Sequence, residues 1–104
     1  MEVSELQKKS VNITEALDKV RNITHNKNIT LHHIYEELGE IAREIFNEET
    51  GRFEFKKENL KEELADITIL INYLAHLYSI DICLLYTSDA ADEGLGVDLG
   101  GRRI

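Results

Sequence analysis

Two short acidic patterns hold most of the chemistry this chain offers: Glu37-Leu38-Gly39-Glu40 and Glu63-Leu64-Ala65-Asp66. Each sets two carboxylates three residues apart, which puts them on one side of a helix. If two such helices pair, four carboxylates converge, and anions cannot share a partly buried space without a cation. The pair of patterns therefore points to a divalent-metal site and, through it, to a phosphate substrate. Oxygen-only ligands favour Mg²⁺ or Mn²⁺ over Zn²⁺, because neither pattern contains a thiolate or a histidine at ligand spacing.

A surface helix normally pairs its acids with Lys or Arg four residues away, each pair adding a few tenths of a kcal/mol. These four acids are not placed that way. Glu37 has His33 and Ile41 at those positions, Glu40 has Glu36 and Glu44, Glu63 has Asn59 and Ile67, and Asp66 has Glu62 and Leu70. Arg43 can reach Glu40 and serves only that one acid.

The elements that must position the acids read as three amphipathic helices, an all-α fold built as a short antiparallel bundle. In the first, Leu6, Ser10, Ile13, Leu17 and Val20 recur at helical spacing, with Ser4 as N-cap and an exit in the stretch from Asn22 to Thr30. The second is expected from Thr30 to about Asn47, with Leu31, Ile34, Leu38, Ile41 and Ile45 as its core stripe. The third is expected to begin at Asn59, where Asn59-Leu60-Lys61-Glu62 has capping-box form, and to present Leu60, Leu64, Ile67, Ile71, Leu74 and Tyr78. In the loop between them, Phe53 and Phe55 are expected to pack on the bundle.

Angular position separates inward from outward acids. At about 100° per residue, with Ile34 at zero, Glu37 falls near about −60°, Glu40 near about −120° and Glu36 on the far side. With Leu60 at zero, Glu63 and Asp66 repeat the same offsets and Glu62 matches Glu36. Glu36 and Glu62 are thus surface charges. The acidic sector of the third helix continues as Leu70, Tyr73 and Leu77, which would be spare apolar surface in a monomer and call for a partner. Asn72 lies away from the acids and reads as packing or interface. His33, one turn before Glu37, is a candidate phosphate contact. His25 and Lys27 are candidate phosphate or base contacts in a stretch expected to be solvated.

Charge and hydropathy exclude other classes. The 104 residues carry a formal net charge of −8, and no basic cluster is long enough to neutralise a nucleic-acid backbone. No run is apolar enough to span a membrane, and the acidic start Met1-Glu2-Val3-Ser4-Glu5 lacks the form of a signal peptide. A cytoplasmic location is the expectation. Cys83 is the single cysteine, so no internal disulfide framework can form.

Residues 83–104 differ in kind from the rest. Cys83-Leu-Leu-Tyr-Thr-Ser-Asp-Ala-Ala-Asp-Glu93 resembles a translated transposon-type sequencing-library adapter, and Val97-Asp-Leu-Gly-Gly-Arg-Arg-Ile104 resembles the constant segment that follows one. Residues 1–82 are therefore expected to be one natural domain, cut short at its C-terminal end, and 83–104 a non-native, disordered tail.

Glu36-Glu-Leu-Gly-Glu-Ile-Ala-Arg-Glu44, then Glu62-Glu-Leu-Ala-Asp-Ile-Thr-Ile-Leu-Ile-Asn-Tyr-Leu-Ala75 and the closing Ser79-Ile-Asp-Ile82, resemble the MazG-like all-α nucleoside triphosphate pyrophosphatases over about residues 4–82. The resemblance implies Mg²⁺-dependent cleavage of a nucleoside triphosphate to monophosphate and pyrophosphate, as house-cleaning of nucleotides. It carries Glu37, Glu40, Glu63 and Asp66 over as metal ligands, with Glu37 or Glu40 as general base and no choice between them. It also implies a bundle completed by self-association as dimer or tetramer. Such chains usually continue past the Ile-Asp-Ile point into a further helix that grips the triphosphate, so the activity of this chain is left open. The alternatives are a phosphoribosyl-ATP pyrophosphohydrolase of histidine synthesis, which shares fold and acids, and a non-enzymatic helical-bundle interaction module.

Overall fold

The computed structural model describes residues 3–82. The expectations for residues 83–104 concern positions outside that range. The described chain runs α1 (Val3–Arg21), α2 (Lys27–Thr50) and α3 (Lys57–Leu77). Three helices and an all-α architecture are as the periodicity requires. The boundaries differ from the expected ones, and the caps explain why.

The second helix starts a turn before Thr30. Asn26 is extended and its side chain accepts from Ile29 N–H at 2.8 Å, satisfying a backbone donor the first turn leaves over. Thr30 instead turns its hydroxyl back to the Asn26 carbonyl, 2.7 Å away. The same helix outlasts Asn47 and stops at Gly51, whose φ of 69° lets its N–H reach the Asn47 carbonyl. Lys56, not Asn59, precedes the first turn of α3 and offers no side-chain cap. Asn22, at φ 58°, closes α1, a left-handed position that Asn tolerates better than most residues. At the far end Gln7 of α1 clips the chain after α3, donating to the Ile80 carbonyl at 2.9 Å and accepting from Ile82 N–H at 3.2 Å.

Helix α3 is the centre of the packing, with α2 on one flank and α1 on the other, while α1 and α2 barely touch. What faces inward is not the apolar stripe. Among the described residues the buried apolar side chains are Leu70 and Tyr73, which the helical wheel assigns to spare surface. The expected core residues Leu38, Leu64 and Ile71 are about half exposed, at 50%, 48% and 47%. Leu31, Ile45 and Tyr78 are exposed too, and Ile34, Ile41, Leu60, Ile67, Leu74 and Leu77 are half-buried.

The reason lies in α1. Its inward face is Ser10, Thr14 and Asp18, at four-residue spacing and all buried, while Ile13, Leu17 and Val20 of the expected stripe are exposed. Small side chains let two helices approach closely, and α1 uses that to cover the Leu70–Tyr73 sector of α3. The broad apolar face of α2 and α3 is left without an intramolecular cover. In the loop, Phe53 is exposed and Phe55 half-buried, so only the second takes up packing.

Candidate functional site

The wheel offsets separate the four acids by depth. Glu37 on α2 is 7% exposed and Glu63 on α3 is half-buried, whereas Glu40 and Asp66, one turn further on, are exposed. Glu36 and Glu62 lie on the surface, as their angle requires. Each pattern therefore directs its first acid inward and its second toward solvent.

The acids of the two helices perturb one another. Burial, then the adjoining Glu40 carboxyl, then the charges of Asp66 and Glu63 push the Glu37 carboxyl from 4.5 up to about 7. Glu63 is raised as well, by burial and by Glu40, Glu44, Glu62 and Asp66. Two carboxylate oxygens, Oε2 of Glu37 and Oε1 of Glu63, are buried with no hydrogen-bond partner. A buried acceptor without a donor costs about 1–3 kcal/mol, more if charged. A cation placed between α2 and α3 would offset that cost, and all-oxygen donors suit a hard divalent ion. Among the described residues, no three such groups stand close enough to form a ready-made ion cage.

A second polar array adjoins the first. Asp18 on α1 accepts from the His25 backbone N–H at 2.8 Å, and its carboxylate lies 2.8 and 3.0 Å from His25 Nδ1. His25 Nε2 is 3.1 Å from His33 Nδ1, and His33 Nε2 is 3.6 Å from Glu37 Oε1. His25 is thus not in a solvated loop: it is 6% exposed, with the Tyr73 ring edge-on against it. His33 stands beside Glu37 as its spacing predicts. Lys27 does not join the acids; its ammonium sits over the Tyr78 ring, 4.1 Å from the centroid. Sequence reasoning missed Asp18. Its position four residues beyond Thr14 and eight beyond Ser10, on a face of small polar side chains, is the signal that could have found it.

Glu44 lies outside the two patterns. It is buried and accepts from Lys56 N–H at 3.1 Å and from Asn59 Nδ2 at 3.3 Å. A carboxylate of α2 thereby accepts from the N-cap N–H of α3, the bond a capping-box Glu would make from within the helix, where the helix dipole favours negative charge. This bond also ties α2 to the start of α3 and so sets how the two acidic patterns face each other.

A cleft of about 270 Å³ opens between α1, α2 and α3, with Leu17, Ile69 and Leu70 on its apolar side and Arg21, His33, Glu37 and Asp66 on its polar side. It brings one acid of each pattern to the same space. A larger groove of about 490 Å³ lies at the Gln7–Ile80 end, away from both patterns. The smaller cleft is the one that holds Glu37, whose Oε2 is buried without a partner, together with Asp66.

Comparison with known proteins gives one match: a family model described as the MazG nucleotide pyrophosphohydrolase domain covers residues 24–84, including both acidic patterns. No curated protein and no solved structure matches the chain.

Proposed function

The chain belongs to the MazG nucleotide pyrophosphohydrolase family, and on that premise we propose that it cleaves a nucleoside triphosphate to the monophosphate and pyrophosphate with Mg²⁺ as cofactor, Mn²⁺ serving as a substitute. The observation that carries the metal requirement is the pair of buried, partnerless oxygens on Glu37 and Glu63. Glu37 and Glu40 from α2 and Glu63 and Asp66 from α3 are the proposed ligands. When bound, the ion supplies positive charge against the triphosphate and lowers the pKa of an attacking water.

The chain's own residues supply the rest. Glu37 and Glu40 are the carboxylates placed to take the proton of the water. Arg21 and His33, on the polar side of the cleft, are placed to meet phosphate or sugar oxygens. Leu17, Ile69 and Leu70 offer an apolar wall to a base.

The proposed partner in assembly is a second copy. Against two buried apolar side chains stand fifteen large ones left exposed among the described residues. Leu31, Leu38, Ile45, Leu64, Ile71 and Tyr78 fall on the shared α2–α3 face. A monomer so arranged buries too little apolar surface for a domain of this size. Pairing this face with its equivalent would make a bundle whose core is the stripe read from the sequence.

The test joins binding to turnover. Thermal melting with increasing Mg²⁺ or Mn²⁺ should raise the midpoint of the intact chain and leave Glu63→Gln unmoved. A nucleotide screen should then find pyrophosphate release that stops when the metal is chelated. A melting midpoint blind to metal in the wild type, as in Glu63→Gln, would remove the metal site from the proposal.

A further inference from the structure

The array that runs from α1 to Glu37 is not explained by the acidic patterns. Asp18, His25 and His33 come from three separate stretches, and their side chains join α1 to α2 where the two helices otherwise barely meet. The two imidazoles meet nitrogen to nitrogen: their centroids are 5.4 Å apart and their planes 21° from parallel, so with nitrogens 3.1 Å apart the rings lie end to end. Asp18, His25 and Glu37 are each more than nine-tenths buried. The Asp18–His25 link is therefore closed to water, while the His33 side chain stays 31% exposed.

We propose that Asp18 and His25 are positioning residues that act through His33, setting its tautomer so that Nε2–H is aimed at Glu37. The inference rests on Glu37 being a metal ligand. The direction of each bond follows from the two ends. A carboxylate only accepts, so His25 Nδ1 carries a hydrogen toward Asp18. A ligand carboxylate at the other end also only accepts, so His33 Nε2 must carry one toward Glu37. Neutral His33 then has a bare Nδ1, and the hydrogen between the rings belongs to His25 Nε2.

This arrangement gives Glu37 what a ligand carboxylate needs. Oε1 has an N–H donor aimed at it from 3.6 Å, while Oε2, buried and without a protein partner, is free for the ion. Groups that orient a ligand in this way commonly matter 10- to about 100-fold in metal affinity. The last gap, 3.6 Å between His33 Nε2 and Glu37 Oε1, is longer than a hydrogen bond. It is the loose link of the chain, and the others hold His33 ready for it.

The test uses the full chain, Mg²⁺ calorimetry and ¹⁵N NMR of the histidine rings. Wild-type protein with Mg²⁺ should show His33 protonated at Nε2 and bare at Nδ1. Asp18→Asn should lose that single tautomer and bind Mg²⁺ about 10- to 100-fold more weakly. His25→Gln interrupts the array while leaving Asp18 its bond to the backbone, and it should behave in the same way. It carries the comparison if Asp18→Asn does not fold. In a His33→Gln background, where an amide N–H replaces the imidazole and has no tautomer to set, adding Asp18→Asn should change Mg²⁺ affinity no further. The proposal is overturned if wild type binds Mg²⁺ and both single variants bind it equally well. It is equally overturned if the loss from Asp18→Asn persists in full beside His33→Gln, which would make the role merely structural. Wild type that binds no Mg²⁺ at all overturns the metal reading, and this one with it.

Discussion

Replacing Glu37 by Gln should stabilise the metal-free protein at alkaline pH and leave it unchanged at acid pH. The carboxyl is raised from 4.5 to about 7, so the folded state holds that proton more tightly than the unfolded chain does. For a group raised in this way the stabilisation is fully present below about pH 4.5 and is lost as pH climbs through about 7. With the side chain only 10% exposed, little solvent screening reduces the effect. The interval is worth about 3 kcal/mol, spread over the window at up to about 1.4 kcal/mol per pH unit. Glutamine keeps the shape of the protonated acid and cannot ionise. Urea unfolding of both proteins at pH 4 and pH 8, with a chelator present, should give nearly equal stabilities at the lower pH. At the higher pH the variant should lead by up to about 3 kcal/mol. The raised Glu63 carboxyl is present in both proteins. Saturating Mg²⁺ should reverse the order: at a thousand times its Kd the ion adds about 4.1 kcal/mol to wild type and little to the variant. A variant equal to or weaker than wild type at pH 8 without metal would refute the burial-and-repulsion account of this site.

Three further outcomes follow from the packing. Glu44→Ala removes the acceptor for Lys56 N–H and Asn59. It should cost about 1–3 kcal/mol in urea unfolding, with faster amide exchange in the first turn of α3. Leu38→Glu or Ile71→Glu, each placing a charge on the exposed α2–α3 face, should shift the sedimenting species toward monomer. If the same residues only lowered solubility of an already monomeric protein, the second-copy assignment would fail. Gly51→Ala should cost about 1 kcal/mol. An added Cβ meets nothing within 4 Å, so the cost comes from the left-handed φ alone and should appear as an earlier fraying of α2.

Much of the site was legible because helix geometry converts spacing directly into direction. Glu37 and Glu63 share one offset and are the deeper acids; Glu36 and Glu62 share another and are on the surface. The His33–Glu37 pairing is legible for the same reason, being one turn along one helix. Asp18 was not, because its partner His25 lies beyond a left-handed Asn22 and no periodicity crosses such a turn. Glu44 escaped for a related reason: its partners, Lys56 N–H and Asn59, lie across the α2–α3 loop, and spacing along one helix cannot predict a cap supplied by another.

Sequence alone determined the number and type of elements, the apolar stripe of each, and that Glu37 and Glu63 lie deeper than Glu36 and Glu62, since all of these depend on interactions within about two helical turns. Tertiary structure decided what covers each face. A stripe is a demand for burial and does not say what meets it. Here α1, with Ser10, Thr14 and Asp18 inward, takes the Leu70–Tyr73 side of α3 and leaves Leu38, Leu64 and Ile71 open. That choice depends on how closely two helices can approach, a property of both surfaces together and of neither sequence segment by itself.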